Sequence, residues 1–192
     1  MQDKKNYNKI FTIPNFLSLI RIALIPVMFY LFRVKKFIET AVVLVVSAIT
    51  DLADGFIARK FNMISKLGKA LDPIADKLTQ GVVLLFLLQY FPYMLLPLSL
   101  LLVKEVLTGI SQLIVLIKYD VVLGAVWHGK LTTAFLYSMA FLHIVWVDIP
   151  KVLSIVLVSV CLCLMVFSLI AYNVRNFRVI KNGKQSNNDL EQ

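Results

Sequence analysis

Residues 41–60 read AVVLVVSAIT-DLADGFIARK and decide both the fold and the chemistry. The first half is apolar like the middle of a membrane helix, whereas the second half introduces two aspartates and two basic residues. A helix turns about 100° per residue, so five positions of the second half fall on one side: Asp51, Asp54, Gly55, Ala58 and Arg59. The next apolar stretch begins with a second such face, made of Gly68, Asp72 and Asp76 at steps of four residues. The sequence therefore predicts two helices that each carry an acidic face.

Composition places the chain among membrane proteins. Apolar residues make up 59% of its 192 residues and charged residues only 16%, outside the usual balance of a soluble domain. The formal charge of +9 would suit nucleic acid, anionic lipid headgroups or a phosphate-bearing substrate. The apolar character disfavours nucleic acid, so we expect membrane lipid and a phosphorylated substrate as partners.

Six stretches are long enough to cross a membrane, which takes about 20 mostly apolar residues. They lie near residues 14–33, 37–60, 68–91, 93–117, 125–147 and 151–175. We therefore predict an all-α membrane protein with one bundle of six transmembrane helices, formed by residues 1–181 and followed by a polar, disordered tail at 182–192. Residues 2–13 alternate charged and apolar side chains, which predicts a short N-terminal interfacial helix before the first span.

The distribution of Lys and Arg predicts the orientation, because basic residues are enriched in short cytoplasmic loops. The N-terminus, the second and fourth loops and the tail carry more of them than the opposite side, which has Arg33, Lys35, Lys36 and Lys151. Both termini should therefore be cytoplasmic in a multi-pass protein of the cell membrane. The aspartates lie towards the same side, so the active site should face the cytoplasm.

Carboxylates at one depth inside a membrane need compensation. Counting along each span at about 1.5 Å per residue brings both acidic faces to one level, just inside the cytoplasmic edge of the hydrocarbon core. Each acid there costs on the order of 2.5 to 3.5 kcal/mol, and hard divalent cations prefer carboxylate oxygens. We therefore expect a pair of Mg²⁺ or Mn²⁺ ions, a common device for phosphoryl transfer. Gly55 and Gly68 would let a base or a diphosphate approach closely, and Arg59 could bind phosphate oxygens.

The segments DLADGFIAR (residues 51–59) and GKALDPIAD (68–76), with the spacing between them, resemble the signature of the CDP-alcohol phosphatidyltransferase family. The resemblance extends to IPNFLSLIR (13–21), the chain length and the predicted spans. It implies an enzyme that moves a phosphatidyl group from CDP-diacylglycerol to an alcohol and releases CMP. It also implies a homodimer.

The resemblance assigns roles to individual residues. Asp76 would act as the general base on the acceptor hydroxyl, since positioning and the neighbouring metal do much of the work. The ligands of the metal ions would be Asp51, Asp54, Asp72 and Asp76. The CDP moiety would be received by Asn15, Asp51, Gly55, Ala58, Arg59 and Gly68.

The acceptor site is predicted from charges that remain inside or near the spans: Arg21, Lys104 and Lys130. Such cations are costly unless they face a wet cavity, and a phosphate-bearing alcohol would suit them. Segments 71–77, 104–105 and 129–133 are similar to the branch of the family that uses glycerol 3-phosphate and makes phosphatidylglycerophosphate. Lys104 and Leu131 stand where that branch often has Arg and Lys, so the acceptor pocket is expected to differ. The alternative for each cation is snorkelling or an internal salt bridge, as between Lys104 and Glu105.

Other functions stay open at this stage. Both ends of the chain also resemble cardiolipin synthases of the family, whose acceptor is phosphatidylglycerol, and phosphatidylserine or phosphatidylinositol-phosphate synthesis is a further alternative. A polar-lined transporter is an alternative of another class, but it predicts inverted repeats, whereas the acids here concentrate in two adjacent spans. A membrane prenyltransferase would need two separated aspartate-rich motifs, and no G-x-x-x-x-G-K-[ST] nucleotide loop occurs. We interpret Cys161 and Cys163 as packing residues, and His128 and His143 as interface or packing residues.

Overall fold

The computed structural model describes residues 12–60, 66–119 and 127–190, and within these ranges the chain forms helices and no strand. The helices are α1 (Ile13–Arg33), α2 (Phe37–Lys60), α3 (Lys66–Leu87), α4 (Leu95–Tyr119), α5 (Trp127–Val145) and α6 (Lys151–Leu190). The predicted all-α class is therefore confirmed for the part of the chain that the structure describes. Residues 2–11 of the predicted interfacial helix lie outside the described residues.

Two helices end at places other than those the apolar pattern predicts. α3 ends at Leu87 and not near residue 91, because the N–H groups of Gln89 and Tyr90 donate to carbonyls only three residues back. Pro92 then opens a turn of 3-10 helix over Pro92–Met94, and proline disfavours helix in the residue before it. α6 continues to Leu190, so residues predicted to form a disordered tail are helical up to that point. Polar residues end a membrane span without ending a helix; the domain boundary at residue 181 stays a prediction.

The link between α1 and α2 is a tight helix-capping turn. The N–H of Lys36 donates to the carbonyl of Leu31 at 2.9 Å, and that of Lys35 donates to the carbonyl of Phe32 at 3.0 Å. This pair of bonds is the Schellman arrangement, in which the residue after the C-cap adopts a left-handed conformation. Lys35 does so with φ of 60°. The turn fixes the antiparallel course of α1 and α2.

We expect Lys35→Gly to raise the melting temperature of the protein, because a left-handed conformation costs a non-glycine residue about 1 kcal/mol. Part of that gain is offset by the larger conformational freedom of glycine in the unfolded chain. Thermal unfolding in detergent would measure the difference. Lys36→Gly is the matched control, since Lys36 is not among the described non-glycine residues with positive φ. A melting temperature for Lys35→Gly at or below that of the control would contradict the expectation.

The surface of the helices is that of a membrane protein. Large apolar side chains lie exposed along the helices, up to 77% for Val152 and 74% for Ile117. Among the described residues, three segments are long and apolar enough to cross a membrane: Asn15–Arg33, Pro92–Val115 and Lys151–Lys181. Exposed apolar area on this scale is unusual on a soluble monomer and suits contact with lipid.

The first of two compact units consists of the described residues up to Pro92 together with Ala140–Asp148. In this unit α1 packs against both α2 and α3. The ring of Phe32 is buried, with centroid distances of 5.4 Å to Phe86 and 5.5 Å to Phe37 and to Tyr90. These rings join the end of α1, the start of α2 and the end of α3. The acidic positions of α2 and α3 lie at the other ends of those helices.

The second unit consists of the described residues of Tyr93–Met139 and Ile149–Gln192, in which α4 packs against α6. Its contacts include polar ones. Tyr93 Oη and Ser154 Oγ are hydrogen-bonded, and Asn176 Nδ2 donates to Ser111 Oγ at 2.7 Å. Thr132 Oγ1 on α5 donates to the carbonyl of Leu164 on α6 at 3.2 Å. Hydrogen bonds between helices are a usual means of holding membrane helices in register.

Candidate active site

The predicted donor site falls within the first unit. α2 continues to Lys60 and α3 begins at Lys66, so every signature position lies in a helix. The side chains of six of these positions are outside the described residues: Asp54, Gly55, Ala58, Arg59, Gly68 and Asp72. Those of Asp51 and Asp76 are described, and both are partly buried. The regular helical backbone retains the predicted spacing on each face, and α1 packs against both helices.

Arg21 on α1 forms an ion pair with Asp51 on α2. Its Nη1 lies 2.5 Å from Asp51 Oδ1, and the two side chains are 1% and 44% exposed, respectively. A guanidinium does not lose its proton in a protein, so a buried one needs an anion nearby. The sequence predicts Arg21 for the acceptor phosphate, but the structure brings it to one of the predicted metal ligands.

The donor atoms suit a hard divalent cation. Asp51 and Asp76 supply carboxylate oxygens, the ligand type that Mg²⁺ and Mn²⁺ prefer. The exposed part of Asp51 gives an ion access to this carboxylate, of which Oδ1 is engaged by Arg21. No group of three or more candidate ligands occurs among the described side chains, and those of Asp54 and Asp72 are outside that set. The described carboxylates are therefore of the type that the expected metal prefers, and one oxygen of Asp51 also contacts Arg21.

Asn15, predicted to lie near the diphosphate, is in the first turn of α1. Its side chain is buried, and its backbone N–H donates to Thr12 Oγ1 at 3.4 Å. Thr12 is the N-cap residue of the helix. Asn15 and Arg21 thus extend from one helix that contacts both acid-bearing helices. Contact of Asn15 with the diphosphate stays a prediction.

The predicted acceptor lysines both belong to the second unit. Lys104 on α4 is only 5% exposed, and its Nζ lies 3.5 Å from Glu105 Oε1. Lys130 on α5 is exposed. The pair with Glu105 is the alternative that the sequence leaves open for Lys104; a lysine this deeply buried is nonetheless unusual without a functional or structural partner.

Sequence reasoning missed the polar residues that accompany Lys104. Thr108 and Ser111 follow it on α4 at intervals of four and three residues and share its face. Thr108 is buried, and its hydroxyl has no hydrogen-bond partner among the described residues. On α6, Asn176 is fully buried and donates to Ser111. The helical spacing of Lys104, Thr108 and Ser111 within an apolar run was the signal that could have revealed this face.

The histidines pack against aromatic rings, as the sequence predicts. His143 is fully buried, with its ring centroid 4.9 Å from that of Phe91. The ring centroid of His128 lies 5.0 Å from that of Tyr172, and the guanidinium carbon of Arg175 lies over the Tyr172 ring at 5.1 Å from its centroid. Cys161 is a buried free thiol, in agreement with its interpretation as a packing residue, whereas Cys163 is free but exposed, so packing inside the protein is wrong for that residue.

We expect Gly129→Ala to destabilise the protein. A Cβ atom at this position would lie 2.9 Å from Tyr172 Cε2 and 3.0 Å from its Cζ, closer than real side chains approach. Tyr172 is buried and held by His128 and Arg175, so α5 and α6 must separate or the ring must turn. Overpacking of this kind costs about 1–3 kcal/mol, which thermal unfolding would measure.

Gly109→Ala on α4 is the control for that variant, because no atom lies within 4 Å of its added Cβ. Alanine in an open helical position should be neutral or slightly stabilising. Combining Gly129→Ala with Tyr172→Ala should recover part of the loss from Gly129→Ala. Equal melting temperatures for Gly129→Ala and Gly109→Ala would remove the proposed clash.

Comparison with known proteins identifies the family. Residues 11–170 match the sequence profile of the CDP-alcohol phosphatidyltransferase family. Because this match covers most of the 192 residues, the chain belongs to that family. The predicted membership is therefore confirmed.

Several relatives carry the name CDP-diacylglycerol–glycerol-3-phosphate 3-phosphatidyltransferase. The protein of that name from Aquifex aeolicus is 34% identical over 88% of this chain and 97% of its own length. The one from Rickettsia bellii is 40% identical over 57% of this chain, and the aligned part spans 62% of that relative. A rat protein named cardiolipin synthase (CMP-forming) is 49% identical, but over only 38% of this chain and 24% of its own.

Proposed function

We propose that this chain transfers the phosphatidyl group of CDP-diacylglycerol to glycerol 3-phosphate, giving phosphatidylglycerophosphate and CMP. The observation that carries the proposal is the placement of Asp51 and Asp76 on two helices that both pack against α1 in a single unit. The acceptor is supported by the Aquifex aeolicus relative, which aligns over nearly its whole length and bears glycerol 3-phosphate in its name.

The proposed reaction is a displacement at phosphorus. The acceptor oxygen forms a bond to the phosphatidyl phosphorus, the bond from that phosphorus to the CMP oxygen breaks, and the acceptor proton passes to Asp76. Divalent ions held by Asp51, Asp54, Asp72 and Asp76 would neutralise the negative charge of the diphosphate. Asn15, Asp51, Gly55, Ala58, Arg59 and Gly68 receive the CDP moiety. Positioning of the hydroxyl against Asp76 supplies the rest of the rate enhancement.

The acceptor phosphate is proposed to bind Lys104 and Lys130. The burial of Lys104 supports this role, because a cation at 5% exposure gains most from an anionic ligand. The sequence predicts Arg21 for the same phosphate, but its contact with Asp51 supports a role in the donor site, and we propose that role instead. Cardiolipin synthesis is the second candidate, and the short segment of high identity to the rat protein favours it.

In the membrane, we propose that all six α-helices cross the bilayer as one bundle, in a chain that works as a homodimer. The excess of Lys and Arg at both termini and in the second and fourth loops supports cytoplasmic termini and an active site on that side. The location would be the cell membrane.

Release of CMP by the purified protein tests the proposed reaction. CDP-diacylglycerol and Mg²⁺ would be supplied with one acceptor at a time: glycerol 3-phosphate, phosphatidylglycerol, serine or inositol phosphate. We expect release to depend on glycerol 3-phosphate and to stop when the metal is chelated. Preference for phosphatidylglycerol would support the second candidate, and no release with any acceptor would contradict the proposed reaction.

A further inference from the structure

The ion pair of Arg21 and Asp51 joins a permanently charged, buried group to a half-exposed one. The guanidinium is 1% exposed and the carboxylate 44%. Because Arg21 keeps its charge in all ordinary conditions, it demands an anion whether or not a metal is bound. Asp51, which the proposed function makes a metal ligand, contacts that cation directly at 2.5 Å.

We propose that Arg21 is a resident counter-cation of the donor site, which competes with the divalent ion for Asp51. This inference rests on the proposed function, because it takes Asp51 as a metal ligand. Arg21 stabilises the metal-free cluster by neutralising one of its carboxylates. It also lowers the affinity of the cluster for metal, since Asp51 must serve both cations.

Removal of Arg21 changes the affinity for metal in two opposing ways. If Arg21 merely oriented Asp51, its removal would free a carboxylate side chain and weaken metal binding. Repulsion between a monovalent and a divalent cation that share one carboxylate acts in the other direction, and weakens binding on the order of tenfold even with the dielectric constant of water. Orienting Asp51 contributes less than this repulsion, because aspartate is a short side chain that loses little rotamer entropy when it is held in place. Removal of the guanidinium should therefore tighten metal binding.

The test measures binding of Mn²⁺ to the full-length, metal-free protein in detergent by the electron paramagnetic resonance signal of free Mn²⁺. Arg21→Met keeps an apolar chain of similar length in the buried position and should bind Mn²⁺ about tenfold more tightly. Arg21→Lys retains the charge and should stay within about twofold of the unaltered protein. Arg33→Met is the matched control on the same helix, because Arg33 is exposed and lies over the ring of Phe29. This variant should bind Mn²⁺ with the same affinity as the unaltered protein.

Thermal unfolding provides a second measurement of the competition between Arg21 and the metal ion for Asp51. In the presence of a chelator Arg21→Met should melt below the unaltered protein, because Asp51 loses its cation. Added Mn²⁺ should raise its melting temperature by more than it raises that of the unaltered protein, since tighter binding stabilises more. If Arg21→Met does not fold, Arg21→Gln serves as a second neutral variant that keeps a hydrogen-bond donor for Asp51, and it must also tighten Mn²⁺ binding.

Weaker Mn²⁺ binding by the neutral variants would overturn the proposal and make Arg21 an orienting residue. Unchanged Mn²⁺ binding with a raised KM for glycerol 3-phosphate would overturn it in favour of acceptor binding. If the unaltered protein binds no Mn²⁺, or binds it equally after Asp76→Asn, the metal site of the proposed function fails, and the role of Arg21 with it.

Discussion

Asp76→Asn is expected to lose phosphatidyl transfer almost completely, with kcat reduced at least about a hundredfold. Asn has nearly the same shape as Asp but cannot accept the acceptor proton or carry a negative charge. Asp76 is partly buried on α3, in the unit that also holds the Arg21–Asp51 pair. The protein should remain folded and should still bind CDP-diacylglycerol. CMP release and binding of the donor lipid are the two measurements.

A metal titration separates the two roles proposed for Asp76. If the side chain is only a ligand, excess Mn²⁺ should restore kcat to the variant by mass action. If it is also the general base, kcat stays low at saturating metal. Asp148→Asn is the control, because Asp148 is exposed in the same unit and has no proposed role. Near-normal kcat of Asp76→Asn at saturating metal would remove the assignment of the base.

Features that lie within a single helix were accessible from the sequence. α1 and α2 occupy Ile13–Arg33 and Phe37–Lys60, where the apolar runs predict spans near 14–33 and 37–60. The spacing of Asp51 and Asp54, or of Asp72 and Asp76, sets their common face through the helical repeat alone. The bounds of α1 and α2 agree with this prediction because they do not depend on how the helices pack. The common face of the aspartates follows from the same helical backbone, and their role as a metal site stays a prediction.

Contacts between helices were not accessible in the same way. Arg21 and Asp51 belong to different helices, and their pairing depends on the rotation of each helix about its own axis. Hydropathy does not determine that rotation, because both helices have apolar residues on several sides. The acid-bearing face of α2 was predicted, but the cation that meets it on α1 was assigned to the acceptor. The aromatic cluster around Phe32 is of the same kind, since it joins residues from three helices.

The second large effect is expected from Lys104→Met, which should raise the KM for glycerol 3-phosphate by about 10- to 100-fold, the worth of a hydrogen bond to a charged group. The kcat and the KM for CDP-diacylglycerol should change little, because a contact made equally in the ground state and the transition state affects substrate binding alone. Methionine preserves the unbranched apolar stem at a position that is only 5% exposed. Steady-state kinetics with each substrate varied in turn would measure these parameters.

Glu105→Gln decides between acceptor binding and a purely structural ion pair. The carboxylate of Glu105 lies 3.5 Å from Lys104 Nζ and is one third exposed, so solvent screens part of its attraction for the lysine. If Lys104 binds phosphate, Glu105→Gln leaves the KM for glycerol 3-phosphate near its normal value while Lys104→Met raises it. Lys104→Arg should fall between them, because it keeps the charge but changes the donor geometry. If both Lys104→Met and Glu105→Gln lower the melting temperature equally and leave that KM unchanged, Lys104 serves the pair and not the acceptor.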